Sequence, residues 1–312
     1  MAVINATALN RTFQNLRTDF KDSYEAEQRL WQAFGMEVPS SARSNLYHWL
    51  SDLPQVREWF GARVAKDLAN RTWDVPNRDW EITIKLLKND LDDDMEGAIS
   101  GAQMKAQQAG QEFAFHEDKL MADTLEAGIS ARCFDGQFFF DTDHPTDPDD
   151  AASTTFDNDL SGTLTQANFA AARKALMRFK RENGLPVAAP RKLLLVVPPD
   201  IEDIARTILA APLTAQGTGV GGGSANIQQT NINQGLAELQ VNPYLASTSR
   251  WYLLNVGQKV KPLLFQRRQA VNLVRKDQAT DDNVFQTKEY LYGADARYAA
   301  SYTFPHLAIT SA

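Results

Sequence analysis

The amino-acid sequence predicts an α+β protein. Residues 7 to 27 carry apolar side chains at steps of three and four, and residues 90 to 127 also have the pattern of a helix. Between residues 236 and 302 the chain instead carries a series of strand-like runs, one of which is predicted at residues 284–292. In the middle of the chain a helix, a buried strand and a second helix follow one another, which is the order of an α/β subdomain.

The composition is that of an ordinary globular protein. The 312 residues are 43% hydrophobic and 23% charged, which suits one large or two ordinary domains. The net charge of −7 argues against non-specific nucleic-acid binding as the main task. The single cysteine, Cys133, excludes an intrachain disulfide, and we expect a buried, unreactive thiol. Because neither a signal peptide nor an apolar run of membrane length is visible, we expect folding in the cytoplasm and no membrane contact.

The N-terminal helix presents one apolar stripe. Its members recur at helical spacing and are Leu9, Phe13, Leu16, Phe20 and Tyr24. Such a stripe must be buried, either on the helix's own domain or on a neighbouring subunit as a docking arm. The pattern leaves both possibilities open.

Residues 62 to 88 have the pattern of a long hairpin. Trp80, Ile82 and Ile84 alternate with polar residues, as in a half-buried strand. Residues 76 to 79 supply a turn before that strand. The predicted hairpin has too few aliphatic side chains to form a core alone, so we expect it to lie against another surface.

The helix at residues 90 to 127 begins with an acidic run. Asp90, Asp92 and Asp94 complement the positive end of the helix dipole. The same spacing opens a calcium loop, but the required glycine and glutamate are absent from its sixth and twelfth positions. A helix N-terminus is therefore the better interpretation, and Gly110 is the position where the helix could break.

Residues 133 to 145 combine a turn, an apolar run and an acidic loop. Asp135-Gly136 favours the turn, and the run Phe138 to Phe140 is typical of a buried strand. Residues 135 to 160 contain eight aspartates and no lysine or arginine, which predicts a long exposed loop. Its carboxylates and its histidine suit a divalent metal in principle, but their spacing matches no known site, and we predict none.

The α/β subdomain begins with a helix that follows Thr165 and is closed by Gly184, and a buried strand at residues 192 to 197 comes next. Residues 212 to 235 are polar and Gly-rich, which predicts a mobile loop. Residues 217 to 222 formally contain G-x-G-x-x-G, but no strand precedes them and no helix follows. We therefore expect no bound dinucleotide.

No arrangement typical of catalysis is visible in the sequence. The four histidines lack metal-binding spacing, and neither a nucleophile elbow nor a Walker loop is present. We therefore predict that the protein is not an enzyme and needs no cofactor.

Several short motifs follow one another along the chain. The most specific is the run DGQFFFDTDHP at residues 135–145. The others are YHWL (47–50), REWFGAR (57–63), NRDWEITI (77–84), NPYL (242–245), WYLL (251–254), KPL (261–263) and YGADAR (292–297). In this order they resemble the Mu-like bacteriophage major head subunit family, and the resemblance covers roughly residues 45 to 300.

The resemblance implies an HK97-like major capsid fold. The parts it implies are an N-terminal arm (1–55), an extended β-hairpin loop (56–89), a peripheral domain with a long helix and a sheet (90–155 and 268–312) and an α/β axial domain (156–267). It also implies a structural major capsid protein, which self-assembles into the icosahedral head shell around the double-stranded DNA of a tailed phage or prophage.

The implied partners are copies of the chain itself, in hexamers and pentamers of a closed shell. Scaffold or protease and portal proteins during assembly, and packaged DNA bound without sequence specificity, are further implied partners. The implied location is the virion, after assembly in the host bacterial cytoplasm.

Aromatic anchors and charged side chains are the residues that we predict at subunit contacts. The candidates are Trp59, Arg63, Trp73, Trp80, Arg267 and Arg268. Two other interpretations stay open from the residues alone. One is a metal-dependent hydrolase that uses the Asp-rich loop at residues 135–150, and the other is a different virion component, such as a decoration protein.

Overall fold

Long helices and two main sheets make up the structure, a computed structural model that describes residues 6–47, 72–93, 95–150, 152–187, 192–217, 226–278 and 280–312. The helices are α1 (Ala6–Ala26), α2 (Lys88–Asp93), α3 (Met95–Ala127), α4 (Gln166–Arg178), α5 (Glu202–Ala210) and α6 (Asp282–Thr287). The strands are β1 (Gly35–Pro39), β2 (Ser44–Tyr47), β3 (Trp73–Pro76), β4 (Arg78–Leu87), β5 (His144–Pro145), β6 (Thr155–Phe156), β7 (Asp159–Leu160), β8 (Leu193–Val197), β9 (Leu213–Gly217), β10 (Asn226–Thr230), β11 (Glu238–Val241), β12 (Trp251–Asn255), β13 (Leu263–Lys276), β14 (Glu289–Tyr302) and β15 (Ala308–Ser311).

The first sheet has the strand order β1-β13-β14-β4 and is covered by α1 and α3. Its centre is an antiparallel hairpin of two 14-residue strands, β13 and β14, in which Phe265 pairs with Ala300. β1 joins parallel to β13, and β4 joins antiparallel to β14. Residues of β14 alternate between buried and half-buried, so every second side chain enters the core below α3.

Helix α3 is continuous over 33 residues, so the prediction of a break at Gly110 is wrong. A Cβ at Gly110 would lie 2.4 Å from the backbone oxygen of Phe20. The glycine therefore allows α1 to approach α3 closely, and Leu16 and Phe20 of α1 are buried between them. The stripe of α1 is thus buried on its own chain, which is the first of the two alternatives.

The second sheet has the strand order β11-β8-β12-β15-β7. Strand β8, Leu193–Val197, confirms the predicted buried strand, and all five residues are buried. Leu194 and Val196 face the core below α3, whereas Leu193, Leu195 and Val197 face a second core with α4 and α5. A strand covered on both faces explains its uninterrupted apolar run.

The predicted hairpin at residues 62 to 88 differs from the pairing that the structure shows. Residues 62–71 lie outside the described part of the chain. Of the remainder, β3 pairs with β2 and β4 pairs with β14. The surface that the apolar side of β4 covers is therefore the core of its own chain, since Ile84 and Leu86 are buried there.

Three further expectations are corrected around the acidic segment and the central helix. Phe138 to Phe140 is not a strand: Phe139 and Phe140 are core side chains in a turn-rich segment, while Phe138 is 37% exposed. The segment is not wholly exposed either, because His144 is buried and β5, β6 and β7 are formed. Helix α4 ends before Gly184, at a cap on Phe179.

The later strands also depart from the pattern. The predicted mobile loop at residues 212–235 contains the hairpin of β9 and β10. The predicted strand at residues 284–292 is in fact α6 followed by β14. The predicted boundary between residues 267 and 268 falls inside β13, and β15 of the predicted peripheral domain pairs in the second sheet.

Among the described helices, none combines the length and the apolar character needed to cross a bilayer.

Candidate assembly surfaces

Trp73 and Trp80, two of the predicted contact residues, are partly buried by their own chain. The Trp73 indole Nε1 donates to Ser301 Oγ at 2.9 Å, and the Trp80 Nε1 donates to the Tyr298 carbonyl oxygen at 3.1 Å. The Trp80 ring also stacks on Tyr298 with a centroid separation of 5.9 Å. Their polar edges are therefore satisfied, and both side chains line one open groove.

We call this the Trp73–Trp80 groove, a cavity of about 580 Å³. Its floor is the end of β14, at residues 299–302, and its walls are β3 and the second half of α3. The pairing of β14 with β4 ends where Tyr298 meets Arg78. Beyond that point β13 is the strand partner of β14 within the described chain. A cavity of this volume has room for several side chains of another polypeptide.

Arg267, another predicted contact residue, belongs to a charged network inside the chain. Its Nη1 donates to Glu117 Oε1 at 2.9 Å, and its Nε donates to Glu37 Oε1 at 2.7 Å. Tyr24 donates its hydroxyl hydrogen to the same Glu117 oxygen at 2.6 Å. Burial alone would lower the pKa of Arg267, but the Glu117 and Glu37 carboxylates, together with Tyr24, outweigh it and raise that pKa. The guanidinium thus joins β13, α3 and β1 within one subunit.

The same network fixes the segment after α1. Arg29 Nε lies 3.5 Å from Glu117 Oε2, and both side chains are almost fully buried. The backbone N–H of Trp31 donates to Asp118 Oδ1 at 2.8 Å. Burial raises the pKa of Asp118, and the hydrogen bond from Trp31 opposes that rise. Glu117 and Asp118 therefore hold the chain that leads from α1 into β1.

The other predicted contact residues have different positions. The Arg268 side chain is exposed on β13. Trp59 and Arg63 lie outside the described residues. The structure therefore brings Trp73 and Trp80 together at one groove and places Arg267 and Arg268 elsewhere on the first sheet.

The block at residues 133–145 contains a buried cluster of Cys133, Asp135 and His144. Asp135 accepts from the Cys133 thiol at 2.9 Å and binds His144 Nδ1 at 2.7 Å. Burial would raise the pKa of Asp135, but its interactions with His144 and the hydrogen bonds from Cys133 and the Gln137 N–H together outweigh it and lower that pKa. Burial raises the pKa of the Cys133 thiol, and the Asp135 charge raises it further. The three side chains are hydrogen-bonded to one another, so they form a clasp that holds the two ends of the block at residues 133–145 together.

Asp141 and Asp147 of the Asp-rich loop bind backbone N–H groups that are close to them in sequence. Asp141 accepts from the N–H groups of Phe138 and Thr142, and Asp147 accepts from that of Asp149. Such bonds close the turns of the loop. The positions of Asp141 and Asp147 therefore give the hydrolase alternative no support.

One exposed aromatic side chain was not predicted from the sequence. Phe285 is 85% exposed on α6, at the tip of the hairpin formed by β13 and β14. The pattern of Val284 and Phe285 predicted a strand, which would have placed one of them in the core. The preceding pair Asp281-Asp282 was the available signal, because aspartate favours the start of a helix.

Comparisons with known proteins agree with this architecture. A family model described as the Mu-like prophage major head subunit gpT matches residues 9–163, 160–245 and 241–312. The major capsid protein of Escherichia phage Mu is 25% identical over 98% of this chain and 74% of that protein. The Mu-like prophage FluMu major head subunit of Haemophilus influenzae is 23% identical over 99% of this chain and 74% of that protein.

Solved particles show the same fold. A chain from the procapsid of bacteriophage JBD30 matches with a TM-score of 0.60 and 25% identity, over 99% of this chain and 76% of that chain. A virus-like particle from Pyrococcus furiosus matches with a TM-score of 0.51 and 13% identity, over 96% of this chain and 99% of that chain. The HK97-like fold and the family resemblance are thereby confirmed. Since the family model covers almost the whole length, the chain belongs to the Mu-like prophage major head subunit gpT family.

Proposed function

We propose that this protein is the repeating major capsid subunit of the head shell of a tailed phage or prophage. The observation that carries the proposal is the family match over nearly the whole chain, from residue 9 to residue 312. The fold shared with the JBD30 procapsid chain supports it. The family is one of structural head subunits, so the function is assembly and not catalysis.

In its finer form, the proposal is that copies of the chain form hexamers and pentamers of a closed icosahedral shell. Assembly takes place in the bacterial cytoplasm, with scaffold or protease and portal proteins as partners. The finished shell encloses double-stranded DNA without sequence specificity. The acidic balance of the chain, −7, suits a container whose lining does not bind DNA tightly.

The proposed contact surfaces combine the sequence pattern with the fold. Trp73 and Trp80 contact a neighbouring subunit through the groove that they line, and Arg268 contacts one as an exposed charge on β13. Trp59 and Arg63 stay proposed contacts in the segment 56–89. Arg267 acts indirectly, because its ion pairs with Glu117 and Glu37 hold the first sheet and α3 in position. The arm, peripheral and axial divisions remain proposals with the residue ranges given above.

The test is to express the full chain, alone and with the neighbouring phage head genes, and to examine it by electron microscopy and light scattering. Closed shells, or rings of hexamer and pentamer size, are the expected result. Addition of nuclease to lysates tests the content of the shells, because enclosed DNA is protected until the shells are opened. A strict monomer under every co-expression condition would overturn the proposal.

A further inference from the structure

The exposed Phe285 lies on α6, whose neighbouring residues are hydrogen-bonded to the ends of β13 and β14. Asn283 Nδ2 donates to the carbonyl oxygens of Lys276 and Glu289, at 2.9 and 2.5 Å, and so closes the hairpin tip. Thr287 Oγ1 donates to the Asn283 carbonyl oxygen at 2.8 Å. These bonds fix α6, so the 85% exposure of the Phe285 ring is a property of the folded loop. A large apolar ring fixed in water is unfavourable unless a partner covers it.

The Trp73–Trp80 groove has the size and the lining that such a ring requires. Its apolar lining includes Trp73, Val75, Trp80, Leu120 and Ala300. Aromatic anchors that enter apolar pockets are the usual centres of protein interfaces. The volume of about 580 Å³ admits one turn of helix with its phenylalanine.

The tip of one chain cannot reach the groove of the same chain. Strand β14 begins beside the tip, at Glu289, and ends on the groove floor, at Tyr302. The stretch of β14 from Glu289 to Ala299, where the groove floor begins, holds the two surfaces roughly 34 Å apart. A Phe285 ring in the groove must therefore come from another molecule.

The charges favour this pairing over contact between two tips. Asp282 is exposed, lies one turn before Phe285 on α6 and would meet its own copy if two tips touched. The groove lining holds Arg78 and Asp74 together with Lys119 and Asp123, which pair with each other at 2.6 Å. Arg78 is therefore the cation in the groove that can meet Asp282. Opposite charges at the edge of an apolar contact fix its register.

We propose that the Phe285 loop of one copy docks in the Trp73–Trp80 groove of a second copy. The two surfaces differ, so the contact is head-to-tail and propagates around rings or closed shells. The inference rests on the proposed shell function and names one of its interfaces.

Disulfide trapping in assembled particles tests the contact. The double variant Phe285→Cys/Ala300→Cys, oxidised mildly, is expected to give a ladder of dimers, trimers and larger species on non-reducing gels. The native Cys133 is buried and adds little background. The matched control is Ala270→Cys/Ala300→Cys, because Ala270 is exposed in the middle of β13, six residues before the end of that strand at the tip; no ladder is expected from it.

The outcomes separate the interface from the function. Particles that form without a ladder would overturn the interface and leave the shell function standing. Dimers from Phe285→Cys alone would show contact between tips, which also overturns it. If the wild-type protein forms no particles, both the proposed shell function and the proposed Phe285 interface are overturned.

A charge exchange covers the case in which the double cysteine variant does not assemble. Asp282→Arg and Arg78→Asp should each reduce particle yield roughly tenfold, and the two together should restore it. A combined variant that assembles no better than the single variants would contradict the docking.

Discussion

Arg267 of β13 and Glu117 of α3 form a half-buried ion pair with a separation of 2.9 Å, and the pair holds the long helix on the first sheet. Glu117 also lies 3.5 Å from Arg29 and accepts a hydrogen bond from Tyr24. One carboxylate thus connects α3, β13 and the segment after α1.

Glu117→Ala should destabilise the subunit by about 3–5 kcal/mol, because two buried or half-buried guanidinium groups lose their partner. The measurement is chemical denaturation followed by circular dichroism. The matched control is Lys119→Ala, since the exposed pair of Lys119 with Asp123 should contribute less than about 1 kcal/mol. Equal shifts for the two variants would contradict the structural role of Glu117.

Gly110→Ala should destabilise the contact between α1 and α3 by about 1–3 kcal/mol. The new Cβ would lie 2.4 Å from the Phe20 carbonyl oxygen and 3.0 Å from the Tyr24 nitrogen, and backbone atoms yield poorly. Gly101→Ala on the same helix is the control, because no heavy atom lies within 4 Å of its Cβ. That variant should gain about 0.5–1 kcal/mol from helix propensity. The measurement is the thermal unfolding of both variants. An increase in stability from Gly110→Ala would contradict the close approach of α1 to α3 at this position.

Local periodicity predicted α1 and β8 closely, because each has one continuous apolar face or run. It could not predict that β4 pairs with β14, since Ile84 meets Tyr292 across more than two hundred residues of sequence. Local periodicity also assigned Val284 and Phe285 wrongly to a strand, because a pair of apolar residues favours a strand prediction whether the pair is buried or exposed.

The candidate surfaces were predicted only in part for the same reason. Trp73 and Trp80 were identifiable as aromatic anchors, but their shared groove depends on how β3 crosses the end of β14. Glu117 carries no sequence signal, because a charged residue in a helix is usually solvated and only tertiary packing buries this one.

Asn158→Asp should destabilise the protein by about 3 kcal/mol or more, because it places a charge among acceptors. The buried Asn158 amide donates to the carbonyl oxygens of Phe139 and Pro305, at 2.9 and 3.0 Å. A carboxylate cannot donate to either oxygen. Asn168→Asp, at an exposed contact near the start of α4, is the milder control. Thermal unfolding at pH 7 measures the stability of both variants. Comparable losses of stability would contradict the prediction that the buried Asn158 amide is needed to connect Phe139 and Pro305.

The protein should lose stability as the pH falls below about 6.5, and His116 should account for part of the loss. His116 lies 2.7 Å from the Tyr298 hydroxyl and packs on Trp80, and desolvation lowers its pKa. The unfolded chain therefore binds a proton at a higher pH than the folded chain, and stability declines from about pH 6.5 down to the folded pKa. The melting temperatures of wild type and His116→Gln at pH 7.5 and 5.5 test this. If the melting temperature falls by the same amount between pH 7.5 and pH 5.5 in the wild type and in His116→Gln, His116 does not contribute to the loss of stability.

The Cys133 thiol should be unreactive in the folded protein. It is buried, and burial together with the neighbouring Asp135 charge raises its pKa, so little thiolate forms at pH 8. An aromatic disulfide reagent should therefore label it at the rate of local opening, whereas denaturant should release the single thiol of the chain at once. Asp135→Asn should accelerate the labelling of the native protein, because the nearby negative charge is removed and the bond to His144 is weakened. The control is Asp143→Asn, which changes an exposed carboxylate of the same loop and should leave the rate of Cys133 labelling unaltered. Rapid labelling of the wild-type protein would contradict the prediction, because it would show that the structure around Cys133 opens readily.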